Sequence, residues 1–232
     1  MIAATACPLR ERSLPIFKPL LAGANLRDRL VACLCAAIGI ALTIVVCAGL
    51  PLARADLPII VAPLGASAVL VFAVPSSPLA QPWPVVGGNT ISTLVGVAAF
   101  HLVPQPTLAA GVAVGAAILV MSLLRCLHPP GGAAALTAVI GSQGIHDAGY
   151  AFAFAPVAIN SIALVALAMF LHRATAHSYP HEPAPAVSVR WLDPADVDAA
   201  LEEMHESFDI AREDLDALLA RAERHAEARR GR

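Results

Sequence analysis

Between Leu30 and His172 the chain carries only four charged side chains, Arg54, Asp56, Arg125 and Asp147. The other twenty-eight of its thirty-two acids and bases lie in the two ends. A water-facing surface cannot be made from so few charges. The hydrophobic fraction, 58%, exceeds the roughly 45–50% of soluble domains, and the mean hydropathy is +0.71. The reading is an all-α membrane domain, a polytopic helix bundle with wet termini. Its segments are an N-terminal piece over 1–29, a transmembrane domain over 30–172, a Pro-rich linker over 173–192 and an amphipathic helical tail over 193–232.

The clearest span is Leu30–Leu50, about the twenty apolar residues that a bilayer core requires. Val86–Val103, Leu108–Leu124 and Tyr150–Leu171 follow. Two shorter stretches remain, Leu57–Val74 with Pro63-Leu64-Gly65 inside it, and Pro130–Ser142. Each fits a short span or a re-entrant segment, and interrupted backbone at membrane depth points to a lined interior. Basic residues before the first span and after the last make both ends cytoplasmic by the positive-inside bias. Six crossings agree with that bias better than four, because they put Arg125 inside and Asp147 outside. No secretory leader is expected, since the first apolar run comes late and lacks a cleavage pattern. The expected location is a bacterial inner membrane. The five cysteines are odd in number and mostly lie in apolar runs, as buried small hydrophobes do.

Offsetting the chain by 67 residues lays "APLGASAVL" from Ala62 over "PPGGAAALT" from Pro129. Pro63 then meets Pro130, Gly65 meets Gly132, and Ala66 meets Ala133. A slightly larger offset lays "VVGGNTI" over "PVAINSI", pairing Asn89-Thr90 with Asn160-Ser161. Each half reads as a long span, a short Pro/Gly-started segment and a long span bearing an Asn-Ser/Thr pair. Three crossings per half would invert the second copy, and paired interrupted segments are a pointer to a transporter's binding site. Ala/Gly-rich spans also resemble one another by composition alone.

The run "LHPPGGAAAL" supplies the chemistry. Proline is favoured in the first turn of a helix, where its missing N–H loses nothing. Gly131, Gly132 and Ala133 would then offer backbone N–H groups at the positive end of a helix dipole, an anion site. Gly65, Ala66 and Ser67 would form the matching site in the first half. His128 would donate to the anion or carry a proton, with Arg125 as charge partner, and Asn89, Thr90, Asn160 and Ser161 would add uncharged donors at matched depths. The same residues also fit plain architecture, with Pro and Gly kinking spans and Asn and Ser bonding helices together. Cys126 and His128 are too few for a metal site, and no cofactor is called for.

With "LGASAVLVFAVPSSPLAQPWPVVGGNTIS" upstream, "HPPGGAAAL" resembles the HPP family of integral membrane proteins over roughly Phe17 to His172. The motif behind the family name is His128-Pro129-Pro130 here. Plant-chloroplast and cyanobacterial members are associated with nitrite transport, which the resemblance implies as a candidate activity. The family is usually described with four membrane spans, against the six read from the hydropathy.

In the tail, Asp193 reads as an N-cap ahead of Pro194. Val197, Leu201, Met204 and Phe208, then Leu215, Leu218, Leu219 and Ala222, recur at helical spacing. Two short amphipathic helices should pack as a hairpin, against the membrane domain or in a homo-oligomer. From Arg173 the tail has eight basic and thirteen acidic residues, a poor match for nucleic acid or an anionic lipid surface. The leading expectation is a transporter or channel for a small anion, nitrite the best single candidate, working in the lipid bilayer. The competing reading is a non-transporting scaffold or sensor whose tail mediates assembly. An enzyme is not expected, since a Ser-His dyad would need Ser67 or Ser122 beside His128, and no spacing requires it.

Overall fold

The computed structural model describes residues 26–48, 57–173, 178–183, 193–205 and 208–230. Among these there is no strand, and the chain is all-helical, as the sequence indicates. Six apolar helices form the bundle: α1 (Leu26–Ala48), α2 (Leu57–Ala73), α3 (Asn89–Leu102), α4 (Pro106–Leu123), α5 (Pro129–Ile140) and, after the short α6 (Gln143–Ala148), α7 (Ile159–His172). A 3₁₀ turn, Pro78–Ala80, follows α2, a single π-helical turn, Pro84–Gly88, leads into α3, and a kinked segment, Ala153–Ala158, with Ala155 extended at φ −127° and ψ 106°, leads into α7. Three helical stretches among the described residues are long and apolar enough to cross a membrane: Pro84–Leu102, Pro106–Leu123 and Ala153–His172. Arg29–Val45, Ala62–Ala73 and Pro129–Ile140 are apolar but shorter. Arg54, Asp56, the first 25 residues and most of the expected linker lie outside the described residues.

Local chemistry explains the boundaries. Pro106 opens α4, and the Gln105 side chain accepts the Leu108 N–H at 3.0 Å. Pro129 and Pro130 fill the first turn of α5, and Ser142 caps α6. One expectation is corrected here. Pro63 does not start a helix but lies inside α2, which begins at Leu57 and runs through it. Apolar neighbours on both sides keep the helix going at the loss of one backbone donor.

The packing is the reverse of a soluble protein's. Leu102, Leu123 and Phe170 are 79%, 73% and 68% exposed, whereas Ser67, His128, Asn160 and Ser161 are fully buried. Exposed apolar surface on that scale requires a lipid neighbour. Inside, the helices meet through small residues. Ala109, Ala113, Ala117 and Met121 make one buried stripe on α4, against Ala99, Ala135 and Val139 of α3 and α5. Cys35, Ala68, Phe72, Leu164 and Ala168 join α1, α2 and α7 in a second cluster. So α1 and α2 pack with α7, while α4 and α5 pack with α3, and α2 and α5 meet between the groups.

Consecutive helices run back and forth between two ends. At one end Trp83 Nε1 donates to the Leu124 carbonyl at 3.2 Å, and Tyr179 Oη donates to the Ala80 carbonyl at 2.9 Å. At the other, Phe100 stacks on His146 with ring centroids 3.9 Å apart. Residues 178–183 fall in the expected linker, yet Tyr179 is buried against the bundle, and that burial pushes its phenol pKa up. Beyond it α8 (Pro194–Met204) and α9 (Arg212–Arg230) pair, with Arg212 bonded to Asp198 of α8 and, at 3.0 Å, to Asp216. Asp193 and Asp196 form a capping box at the start of α8. The apolar positions named from the sequence, Val197, Leu201, Met204, Phe208, Leu215 and Leu219, line a groove between the two helices.

At Gly96 α3 comes tight against α5, where a Cβ would stand 2.3 Å from the Ala135 carbonyl oxygen. The opposing atom is backbone and cannot swing aside. Gly96→Ala should therefore separate α3 from α5 and lower the thermal midpoint in detergent by several degrees, while Gly111→Ala, whose Cβ meets nothing within 4 Å, should not. A Gly96→Ala protein melting with the parent would refute this account of the packing.

Candidate functional site

The site is built outward from His128. A residue before proline is pushed out of helical backbone, and His128 accordingly is extended, at φ −137° and ψ 108°. That turns its ring from the start of α5 into the bundle, where it is fully buried. Nδ1 lies 2.9 Å from the Leu79 carbonyl and Nε2 lies 2.8 Å from Ser67 Oγ. A carbonyl only accepts, so Nδ1 carries a proton, and in the neutral ring Nε2 accepts from the Ser67 hydroxyl. Ser67 Oγ in turn accepts from Asn89 Nδ2 at 3.2 Å, and the same amide donates to Ser161 Oγ at 3.2 Å. Four helices thus meet through one directed chain, with α3 giving to α2 and α7, and α2 giving to the residue that opens α5.

Ser67 has a second acceptor, the Pro63 carbonyl at 3.2 Å. Its hydroxyl faces two exits, one toward His128 and one along its own helix. Asn89 Oδ1 is buried and has no partner among the described residues. Asn89 also lines a small cavity with Pro63, Leu64, Ala134, Thr137, Phe152 and Val157, of about 10 Å³, room for about one water centre. The Thr137 hydroxyl donates to the Ala133 carbonyl at 2.9 Å, which leaves its lone pairs for the cavity. The π turn Pro84–Gly88 comes just before buried Asn89, and the kink at Ala155 comes just before buried Asn160. Single π turns recur at functional sites because they re-aim the side chains that follow.

The structure gathers some expected residues and disperses others. Ser67, Asn89, His128 and Ser161 are joined, and Asn160 is buried beside Ser161. Thr90 instead spends its hydroxyl on the Val86 carbonyl at 2.7 Å. Arg125 sits exposed in a left-handed turn, φ 54°, that closes α4, so it is no partner to the buried cluster. The helix-start site needs correction. Pro129 and Pro130 have no N–H, and the Gly131 N–H bonds the His128 carbonyl at 2.8 Å, so the first turn holds no row of open donors. Gly131 is buried, and a Cβ there would stand 2.5 Å from Ser92 Oγ and 2.9 Å from Met121 Sδ. It serves close packing. Gly65 and Ala66 lie within α2, beyond its first turn, so their N–H groups belong to the helical ladder. Gly132 is half-buried with ordinary space around it, and Ala133 is exposed.

Reading the sequence missed the Leu79 carbonyl, Thr137 and Phe152. The one signal for Leu79 was the turn chemistry of "VPSSPLAQPW", in which Ser77 accepts the Leu79 N–H at 3.1 Å. The serine-histidine pair that no spacing required is present as Ser67 and His128, while Ser122 is exposed and bonds its own helix.

Residues 22–180 match the family described as "HPP, transmembrane region". The chain belongs to that family. Two transmembrane proteins of Dictyostelium discoideum are similar to this HPP chain. One is 34% identical over 131 residues, covering 54% of this chain and 46% of that protein. The other is 38% identical over 120 residues, covering 50% and 38%. The HPP chain therefore spans less than half the length of these curated relatives. No solved structure matches it. The HPP motif itself falls at the node of the hydrogen-bond chain, His128 being the ligand of both Leu79 and Ser67.

If that chain is one unit, its members must be energetically coupled. Ser67→Ala should leave His128 Nε2 and one Asn89 N–H unmet, costing about 1–3 kcal/mol. Asn89→Ala removes another part of the same network. The double variant should cost less than the sum by at least about 0.5 kcal/mol, as read from unfolding midpoints in one detergent. Additive losses would mean two independent contacts.

Proposed function

We propose that this HPP-family membrane protein is a transporter or channel for a small inorganic anion, nitrite the best single candidate. The single observation behind this reading is the buried polar chain Asn89–Ser67–His128, set beside a water-sized cavity where α2, α3, α5 and the kinked segment ahead of α7 converge. Hydroxyls, an amide and an imidazole deep in an apolar bundle are expensive, and such groups mark solute paths. Among the described residues of the apolar helices the one carboxylate is Asp28, at the very start of α1 ahead of its apolar run, and Asp147 lies exposed on α6. A cation path would need compensating negative charge, and an anion or its conjugate acid would not. The positive end of α5 points at His128, which adds favourable potential.

The reading includes a duplicated architecture. Exchanging α1, α2 and α3 for α4, α5 and α7 pairs the same helix partners, α1–α2–α7 against α4–α5–α3, and pairs a break in the helix ahead of each asparagine, a π turn in one and a kink in the other. With six crossings the two halves are inverted in the membrane, and the termini share the cytoplasmic side. Cysteines substituted at Gln81 and Gln143, which lie at opposite ends of the bundle, should then be labelled from opposite faces in vesicles. Labelling of both from one face would overturn six crossings.

No catalysis is part of this reading. Ser67 and His128 stand at nucleophile–base distance, but both are fully buried beside a space that holds no substrate. The tail's contacts with the membrane domain, through Asp209 and Tyr179, are made within one chain.

Purified protein in liposomes should move nitrite, and two changes should weaken that movement about tenfold or more, the loss of one or two charge-assisted hydrogen bonds. These are Asn89→Leu and His128→Leu. Gly115→Val, facing open space, is the control. Nitrite flux in the Asn89 and His128 variants equal to that of the parent would place the solute path elsewhere.

A further inference from the structure

The carbonyl that orients His128 belongs to a turn that the C-terminal region holds from outside. Leu79 sits in the 3₁₀ turn Pro78–Ala80. Ser77 caps that turn and donates its own hydroxyl to Asp209 Oδ1 at 2.7 Å. At the other end of the turn Tyr179 Oη donates to the Ala80 carbonyl at 2.9 Å, and the His181 N–H donates to Gln81 Oε1 at 2.9 Å. Gln81 Nε2 closes back on the Pro75 and Ser77 carbonyls at 2.9 and 2.8 Å. The outer contacts act as one piece, because His181 Nε2 donates to Asp214 Oδ2 of α9 at 2.6 Å. The turn is therefore gripped at both ends from the tail side, and its inward carbonyl grips His128.

We infer that the C-terminal region is a latch on the central site: Asp209 and Tyr179 fix the turn that keeps His128 seated on Ser67, and release of the tail frees His128 and opens the path. The seated state is the closed one. His128 and Ser67 are fully buried, and the neighbouring cavity has room for about one water. For a solute to pass between α2 and α5 the ring must leave Ser67, and every bond that steadies Leu79 opposes that movement. Tail and site thus share one element, the turn Pro78–Ala80, and the released arrangement inferred for it is the second state that coupling at a distance requires. The latch itself needs only these contacts; its role as a brake on transport rests on the function proposed above.

Cys126, two residues before His128, reports on the seat without any solute, since its thiol is fully buried. In full-length protein retaining Cys126 as its single cysteine, N-ethylmaleimide should react slowly. Asp209→Ala and Tyr179→Phe should each speed that reaction about fivefold or more, the population shift expected for loss of a hydrogen bond. Asp209→Asn, which still accepts from Ser77, should restore the slow rate. Asp198→Ala, which loosens α8 from α9 without touching the turn, should stay near the parent. In liposomes, nitrite flux should rise in the two releasing variants. Faster labelling without nitrite flux in any variant supports the latch and rejects the transport reading. Unchanged labelling in both releasing variants, or equal acceleration by Asp198→Ala, overturns the latch whatever the flux.

Discussion

His128 sits in a lipid-facing bundle with both ring nitrogens engaged, and neither bond has water to take its place. In water a lost hydrogen bond is exchanged for another at a net difference of about 1 kcal/mol; in a dry interior the abandoned partner bears its full desolvation cost. The rest of the cluster follows from that asymmetry. Leu79 must offer its carbonyl, so the chain between α2 and α3 folds into a capped turn instead of a loose loop. Ser67 must face inward, so α2 continues through Pro63. Asn89 must reach two hydroxyls on different helices, and the π turn ahead of it helps set that angle.

Such a cluster is possible only because the helices come close. Gly88, Gly96 and Gly131 each stand where a Cβ would strike a neighbouring backbone or side chain within 3 Å, and alanines fill the stripe between α4 and its partners. Without a hydrophobic drive between helices in lipid, van der Waals contact at short range and interhelical hydrogen bonds must hold the bundle together. Small residues and buried polar residues are therefore two sides of one solution. The double proline belongs to it as well. It removes two backbone donors at the start of α5, the third is used by His128's own carbonyl, and the helix can begin inside the protein with little left unpaired.

The C-terminal region enters through the same logic. Its charges prefer water, yet Asp209, Tyr179 and His181 spend hydrogen bonds on the turn that supports the buried cluster. Of the packings open to the tail from sequence, contact with the membrane domain is the one these bonds make.

How much of this was legible depends on the range of the forces involved. The charge desert from Leu30 to His172 specified a membrane domain, because the cost of placing charge in lipid acts residue by residue and is written in composition. The Pro-Pro start of α5, the Asp193 cap and the family likeness were local patterns too, and the structure and the family match agree with them. What the sequence could not decide was which donors remain open once helices touch. Gly131 looked like an anion cradle and became a packing contact, because Ser92 and Met121 arrive from α3 and α4. Arg125 looked like a charge partner and ended in an outward turn. Ser67 and His128, 61 residues apart, carried no mutual signal and now share a 2.8 Å bond. Sequence alone determined the solvent in which this protein lives and where its helices begin; the tertiary structure decided which polar groups meet, because hydrogen bonds between helices depend on distances that no local pattern records.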